Sequence, residues 1–329
     1  MRRTISSILT IVAILMLFVQ PASAAAPYSM QDLGNLGRPW AGANDINQRG
    51  QIVGFSQMVS LETHAFLWRK GEMTDLGLLG GFQSFAVAIN NRGQIVGWSH
   101  TATSTIPHAV LWEDGTITDL GTLGGLWSQA TDINERGQIA GFSTNASGED
   151  HAVLWQKDKV KDLGTLGGLY SHANAVNERG QVVGGSAIED GNGHAFLWKK
   201  GRMIDLGTLG GPWSEAHDIN NRGQVVGESY TAFEERHAFL WENGTMTDLG
   251  TLGGGGSAAL GINDRGQIVG WSHTASGRTH AVIWENGTIT DLGALSGDWS
   301  FARKINNRGQ IVGQSDDEES NPHAILWKR

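Results

Sequence analysis

The chain has 329 residues, enough to bury a full-sized core, and carries a formal net charge of −9. It contains no Cys, which excludes disulfides, a lipid-anchored Cys and thiol chemistry. No Lys/Arg cluster stands out in this acidic sequence, so the basic footprint of a nucleic-acid binder is missing.

The first segment reads as an export signal. Arg2 and Arg3 form a basic start, residues 5–19 are an apolar run, and Ala22-Ser23-Ala24 supplies the small residues of a cleavage site. The apolar run is shorter than the roughly 20 residues that a spanning helix needs. Residues 1–24 are therefore expected to be a cleaved signal peptide, and 25–329 the mature chain. A twin-Arg route is open from Arg2-Arg3. Cleavage removes two positive charges and leaves −11. No later apolar run reaches membrane length, so the expectation is a soluble monomer, extracellular or periplasmic.

Everything after the signal repeats. Asp-Leu-Gly begins at Asp32, Asp75, Asp119, Asp162, Asp205, Asp248 and Asp291. His-Ala-x-(Leu or Ile)-Trp begins at His64, His108, His151, His194, His237, His280 and His323. Both step by 43 residues, with one step of 44, the mark of stacked supersecondary units. Each unit offers four short strand-like runs. From Ser84 these are 84–90, 94–99, 108–112 and 117–121, divided by Gly, Asn and Asp. Asn90-Asn91-Arg92-Gly93 and its equivalents turn the first strand into the second, and Asp114-Gly115, Asn243-Gly244 and Asn286-Gly287 are hairpin signals. The unit ending at Asp162 has Lys159 read in place of that Gly, which predicts a different turn there. No segment keeps a helical apolar period through the glycines.

A four-stranded unit of this length suits a propeller blade. The chain enters on a fourth strand, residues 30–34, and leaves on three strands that lack one. The expectation is all-β: a seven-bladed β-propeller of four-stranded antiparallel blades, closed by the N-terminal strand completing the last blade. Such closure leaves no free edge. The second strand with its Gly, the third ending in Trp and the outer fourth resemble kelch repeats. The literal motif, HAFLW at 64–68 and 194–198 with DLGTLGG and INNRGQIVG, resembles the HAF repeat, a bacterial repeat predicted to be extracellular. That resemblance spans residues 30–327 and implies export and a repetitive β fold, with no established activity.

Each unit repeats a Ser, a His, a Trp and an Asp, as in Ser99, His108, Trp112 and Asp119. Seven copies of a catalytic triad would serve nothing. A hydrogen-bonding network inside each blade, similar to that of WD-repeat propellers, is the expectation, with the Trp packing between blades. The seven His lie too far apart to converge on one metal ion, so no metal and no cofactor is expected. The acidic run 316–319 could attract Ca²⁺ but reads as a solvated loop.

Function is expected where copies diverge. One zone precedes the first strand and carries Trp40, Phe82, Trp127, Tyr170, Trp213 and Trp299. On a propeller these would ring one channel mouth, either as a stacking platform for sugar rings or as a plug of rings packed on one another. The other zone is the first strand, where His172, Glu215, His217, Asp218, Arg303 and Lys304 contrast with apolar residues elsewhere. A carboxylate beside a His can do acid–base work. His217 and Asp218 point to opposite faces of a strand and cannot both meet one ligand. Three readings follow: a secreted non-catalytic binder of a glycan, cell-surface polymer or protein, using the aromatics with His172 and Arg303; a polysaccharide-active or other hydrolase using Glu215, His217 or Asp218; or a structural or adhesive repeat.

Overall fold

The computed structural model describes residues 28–157, 159–296 and 298–329. The expected signal segment, residues 1–24, lies outside them. Every regular element among the described residues is a β-strand, and none of these residues forms a helix long and apolar enough to cross a membrane.

The unit around His108 shows the local logic. Its strands are Gly80–Ile89, Ile95–Thr101, Ser104–Glu113 and Thr116–Asp119. They pair antiparallel in order, with Ser84 opposite Ser99, Ser99 opposite His108 and Val110 opposite Asp119. Asn90 builds the first turn. Its Oδ1 accepts the backbone N–H groups of Arg92 and Gln94 at 3.0 and 3.1 Å, and Gly93 takes the positive φ of +89° that closes the reversal. Gly97 is required by close approach: a Cβ there would stand 1.9 Å from the Phe85 carbonyl oxygen.

Two expectations are corrected. The first strand starts at Gly80, not Ser84, so the stretch read as a connection is the front half of that strand. The register shifts between Gly80 and Ser84 and again between Ala86 and Ala88. The hairpin before Asp162 keeps the register of its siblings, Gln156 opposite Lys159 as Glu113 stands opposite Thr116. Lys159 is a strand residue there. Lys157, at φ +50°, occupies the left-handed turn position that Asp114 fills elsewhere.

The strands form five sheets, three of four strands and two of eight. In each eight-stranded sheet one parallel residue pair, Thr63–Gln83 or Arg236–Gly256, links two antiparallel groups of four. One four-stranded sheet joins the chain ends: Ser29–Asp32 pairs antiparallel with Pro322–Lys328, beside Ile311–Asp316 and Ser300–Ile305. No sheet closes on itself among the described residues.

Consecutive units are tied at the Asn turns. Asn47 Nδ2 donates to the carbonyl of Asn90, Asn90 to Asn134, and so on to Asn263 and Asn306. Asn306 Nδ2 then donates to the carbonyl of Asn47 at 3.1 Å. The core lies between units. Trp112, 4% exposed, packs with Ile89 and Val110 of its own unit and with Val53 and Ala65 of the preceding one. Each such Trp contributes on the order of 3 kcal/mol of apolar burial.

Candidate functional site

The repeated polar residues form a scaffold at the outer strands. In all seven repeats the His Nδ1 meets the Asp of Asp-Leu-Gly at 2.7–2.9 Å, the seventh pair being His323 with Asp32 from the other end of the chain. The other Asp oxygen accepts the backbone N–H two residues on, as Asp119 does from Gly121. The expected four-membered network is narrower than read from sequence. Ser99 accepts instead from the Leu79 N–H at 3.0 Å, and the indole nitrogens of Trp112, Trp155 and Trp327 have no partner. Those three Trp side chains fill volume, whereas the Trp284 indole donates to the Leu249 carbonyl at 3.0 Å.

The variable residues gather around a cavity of about 490 Å³ between the first strands. Every repeat contributes to its lining. Its apolar lining is Phe55, Phe85, Val87 and Trp98 of the first two repeats with Leu260 of the sixth; its polar lining is Asn44, Gln129, Thr131, Asn174, His217 and Arg303. Phe85 stacks on Trp98 at 4.4 Å and 17°, and Phe55 abuts Phe85 at 4.8 Å. Gly42 permits this junction: a Cβ there would press on the Gln314 amide at 2.5 Å and the Phe55 ring at 2.8 Å.

Phe55 and Trp98 escaped the sequence reading. They occupy one place on the second strand, between the Gly and the Ser, where the other repeats carry Phe142, Gly185, Glu228, Trp271 and Gln314. Each stands opposite a variable first-strand residue, as Trp98 faces Phe85 and Glu228 faces Glu215. The signal was present as the one strongly variable site inside a conserved-looking run of five.

The six aromatics expected at a channel mouth do not make one surface. Trp40 leans on Phe55 at 4.8 Å, Phe82 on His100 at 4.7 Å, Trp127 on Phe142 at 4.9 Å, Trp213 on Tyr230 at 5.9 Å and Trp299 on Phe301 at 4.1 Å. These five rings pack on side chains of their own repeats, and Trp213 also reaches over Gly193 of the preceding repeat near the Tyr170 hydroxyl, so the six do not stack on one another as the expected plug. Tyr170 stays 42% exposed. None of the six lines the 490 Å³ cavity, although five sit on the front halves of strands that contribute to it and Trp299 immediately precedes such a strand.

The charged residues divide into two levels. Glu215 accepts from the His172 ring at 2.8 Å and from Asn174 at 2.8 Å. Burial pushes its carboxyl up, but the His172 hydrogen bond and the His217 charge outweigh this and hold it down at about 2. His217 lines the cavity and meets Glu228 at 3.4 Å. Burial lowers its pKa, and the Glu228 and Glu215 carboxylates more than reverse that, so the net shift is upward. Glu228 in turn pairs with Arg236 at 3.2 Å. Asp218 belongs to the second level, in a smaller cavity of about 180 Å³ with Asp45 and Asp132. Glu215, His217 and Asp218 therefore do not converge on one reacting atom.

Lys304 lines both cavities and forms the floor between them, its Nζ 2.8 Å from Asp218 Oδ1. The three Asp of this floor tie neighbouring repeats. Asp45 Oδ2 accepts the Ile89 N–H, Asp132 Oδ2 the Val176 N–H and Asp218 Oδ2 the Ile262 N–H. The residues that precede those N–H donors are Ala88, Ala175 and Gly261, small enough for a carboxylate to cross over. The alternation of acid and small residue is thus structural. Burial drives the Asp45 carboxyl upward and that of Asp132 to about 7, while Lys304 is pushed up by the Asp218, Asp132 and Asp45 charges against the effect of burial. The acidic run 316–319 forms a turn in which Asp317 Oδ1 accepts from Glu319 and Asn321. No grouping suited to a metal ion occurs among the described residues.

No family model and no curated protein matches the sequence. Solved structures do match in shape. The β-propeller domain of the Trilobed protease from Pyrococcus furiosus, described with an open velcro topology, is similar with a TM-score of 0.62 and 9% identity, over 88% of this chain and 96% of that one. A puromycin-hydrolysing peptidase from Mycobacterium tuberculosis gives 0.60 and 11%, over 88% of this chain and 51% of that one. The BP39L lectin from Burkholderia pseudomallei gives 0.52 and 10%, over 92% and 96%. At these identities the likeness speaks to fold alone, and the fold is that of a β-propeller.

Proposed function

We propose that this chain is an exported, non-catalytic binding propeller that recognises a carbohydrate in the cavity between its first strands. The single observation that carries the reading is the mixed lining of that cavity: an aromatic wall of Phe55, Phe85 and Trp98 together with amide, hydroxyl and cationic side chains. Sugar rings present apolar C–H faces to such a wall and hydroxyl groups to such partners, and the volume lies within the range of small-molecule sites. Seven blades closed in a ring belong to the same proposal. The Asn306–Asn47 bond, the His323–Asp32 pair and the strand Ser29–Asp32 on Pro322–Lys328 support it. Export rests on residues 1–24, and membership of the HAF-repeat group on the literal motif.

A protein partner is the second reading, favoured by Leu126 and Leu169, 72% and 73% exposed beside Trp127 and Tyr170. The hydrolytic reading loses its constellation, since Glu215 is held as a carboxylate by His172 and Asn174 while Asp218 faces the other cavity. A glycan array followed by calorimetry tests the proposal. Binding should fall by about tenfold or more in Phe85→Ala combined with Trp98→Ala. Trp127→Ala combined with Trp213→Ala should cost less. The reverse order would move the site to the exposed aromatics, and wild-type protein that binds no glycan would refute the carbohydrate reading.

A further inference from the structure

The cavity carries a charge pattern at odds with the molecule around it. The chain is acidic overall, at −9, yet the cavity is lined by Arg303, Lys304 and His217 and by no carboxylate. Two of these cations are answered at once, Lys304 by Asp218 at 2.8 Å and His217 by Glu228 at 3.4 Å. The carboxylates behind the wall are also engaged, Glu215 by His172 and Asn174 and Glu228 by Arg236. Arg303 is different. Its one hydrogen bond to protein runs from Nη2 to the neutral Gln314 Oε1 at 2.9 Å. Its Nε is fully buried without a partner, and among the described residues it makes no ion pair. Burial holds the guanidinium below its usual pKa, as expected for a cation lacking a counter-charge.

A guanidinium offers a planar fork of donors that fits a carboxylate, and a buried charge without a partner is costly. The fork stands beside the aromatic wall, because Gln314, which holds Arg303, meets the Phe55 ring across Gly42. On the far side Gln129 has its amide free of any protein partner among the described residues. We infer that the cavity selects a sugar residue bearing a carboxylate, a uronic-acid type of ring, with its face on Phe85 and Trp98, its carboxylate on Arg303 and its hydroxyl groups toward Gln129. This rests on the carbohydrate reading above and adds the charge of the ligand. A purely aromatic acid would leave the Gln129 amide with nothing to bond, which is why a ring with hydroxyl groups is the better occupant.

The experiment is calorimetry with a trigalacturonate, its methyl ester and benzoate on the full chain. The acid should bind about tenfold or more tightly than the ester, as expected for one charge-assisted bidentate contact. Arg303→Gln should bring that ratio close to one, and Arg303→Lys should restore part of it. Leu260→Glu, which places a carboxylate in the same cavity on the strand next to that of Arg303, should also collapse the ratio by repelling or replacing the ligand carboxylate, and covers the case in which Arg303→Gln fails to fold. Equal binding of acid and ester, or a ratio unchanged by Arg303→Gln, overturns the inference and leaves the carbohydrate reading standing. Benzoate binding as tightly as the trisaccharide overturns the sugar. Wild-type protein that binds neither saccharide overturns the uronic-acid inference, and binding of no glycan on the array removes the carbohydrate reading itself.

Discussion

At the outer strands the same His–Asp pair occurs seven times within 2.7–2.9 Å, whereas around the cavity no two repeats present the same facing pair of residues. The outer pairs connect the third strand to the fourth within a sheet and answer only to the geometry of that sheet. The inner residues meet other repeats, Phe85 and Trp98 at the cavity and His172 at Glu215 of the next repeat, and are free to differ. Divergence inside a repeated frame is what an asymmetric ligand requires, and uniformity is what a repeated fold requires. The contrast explains why seven Ser, His and Asp sets are not seven active sites.

The sharpest way to break this contrast is to mutate two adjacent glycines of one strand. At Gly184 a Cβ would stand 2.0 Å from the His172 carbonyl oxygen, while at Gly185 it would meet side chains, the His172 ring at 3.1 Å and the Glu215 carboxyl carbon at 3.6 Å. Gly184→Ala should destabilise by on the order of 3 kcal/mol or prevent folding, because two backbones must separate. Gly185→Ala should lie within about 1 kcal/mol of wild type. Equal losses in chemical denaturation would show that the variable face is as constrained as the frame.

The floor of the cavity provides a pH test of intermediate size. Asp132 is raised to about 7 by burial, so the folded state holds its proton more tightly than the unfolded chain, where the value is 3.8. The folded state then binds more protons across that window, and stability must fall as pH rises from about 4 to about 7. Asp132→Asn should flatten that decline by on the order of 2 kcal/mol, read as the pH slope of thermal unfolding. A wild-type slope unchanged by the substitution would mean the carboxylate is ionised throughout. Glu215, held at about 2 by His172 after the contrary effect of burial, should act oppositely and withdraw its contribution only as pH drops below about 4.

The smallest effect belongs to a single outer pair. His151→Ala removes a bond to Asp162, whose side chain is 43% exposed, and should cost about 1 kcal/mol with no change in ligand affinity. A change in glycan binding with that variant would erase the distinction between the two regions.

The repeat length, the four strands, the Asn turns and the pairing of His with Asp were all legible, because each is a local pattern recurring at a fixed offset. The complementary strands at the two ends were legible for the same reason, and Ser29–Asp32 does pair with Pro322–Lys328. The first-strand residues His217 and Arg303 were recognised as cavity candidates because they break a repeat. The aromatics Trp40, Trp127 and Trp213 were singled out too, and they do not line that cavity. A ring preceding a strand looks free in sequence, but here the strand begins earlier and each ring folds onto its own sheet.

Amino-acid order by itself determined the periodic frame, since strand, turn and glycine requirements act over a few residues and leave the same signature in every copy. Only the tertiary structure decided which of the divergent residues meet. Phe85 and Arg303 lie 218 positions apart in the chain and line one cavity. Asp132 and Lys304 share a low-dielectric floor that shifts both their protons. Such encounters depend on distances across the assembled repeats, and a one-dimensional period contains no information about which side of the cavity each copy will face.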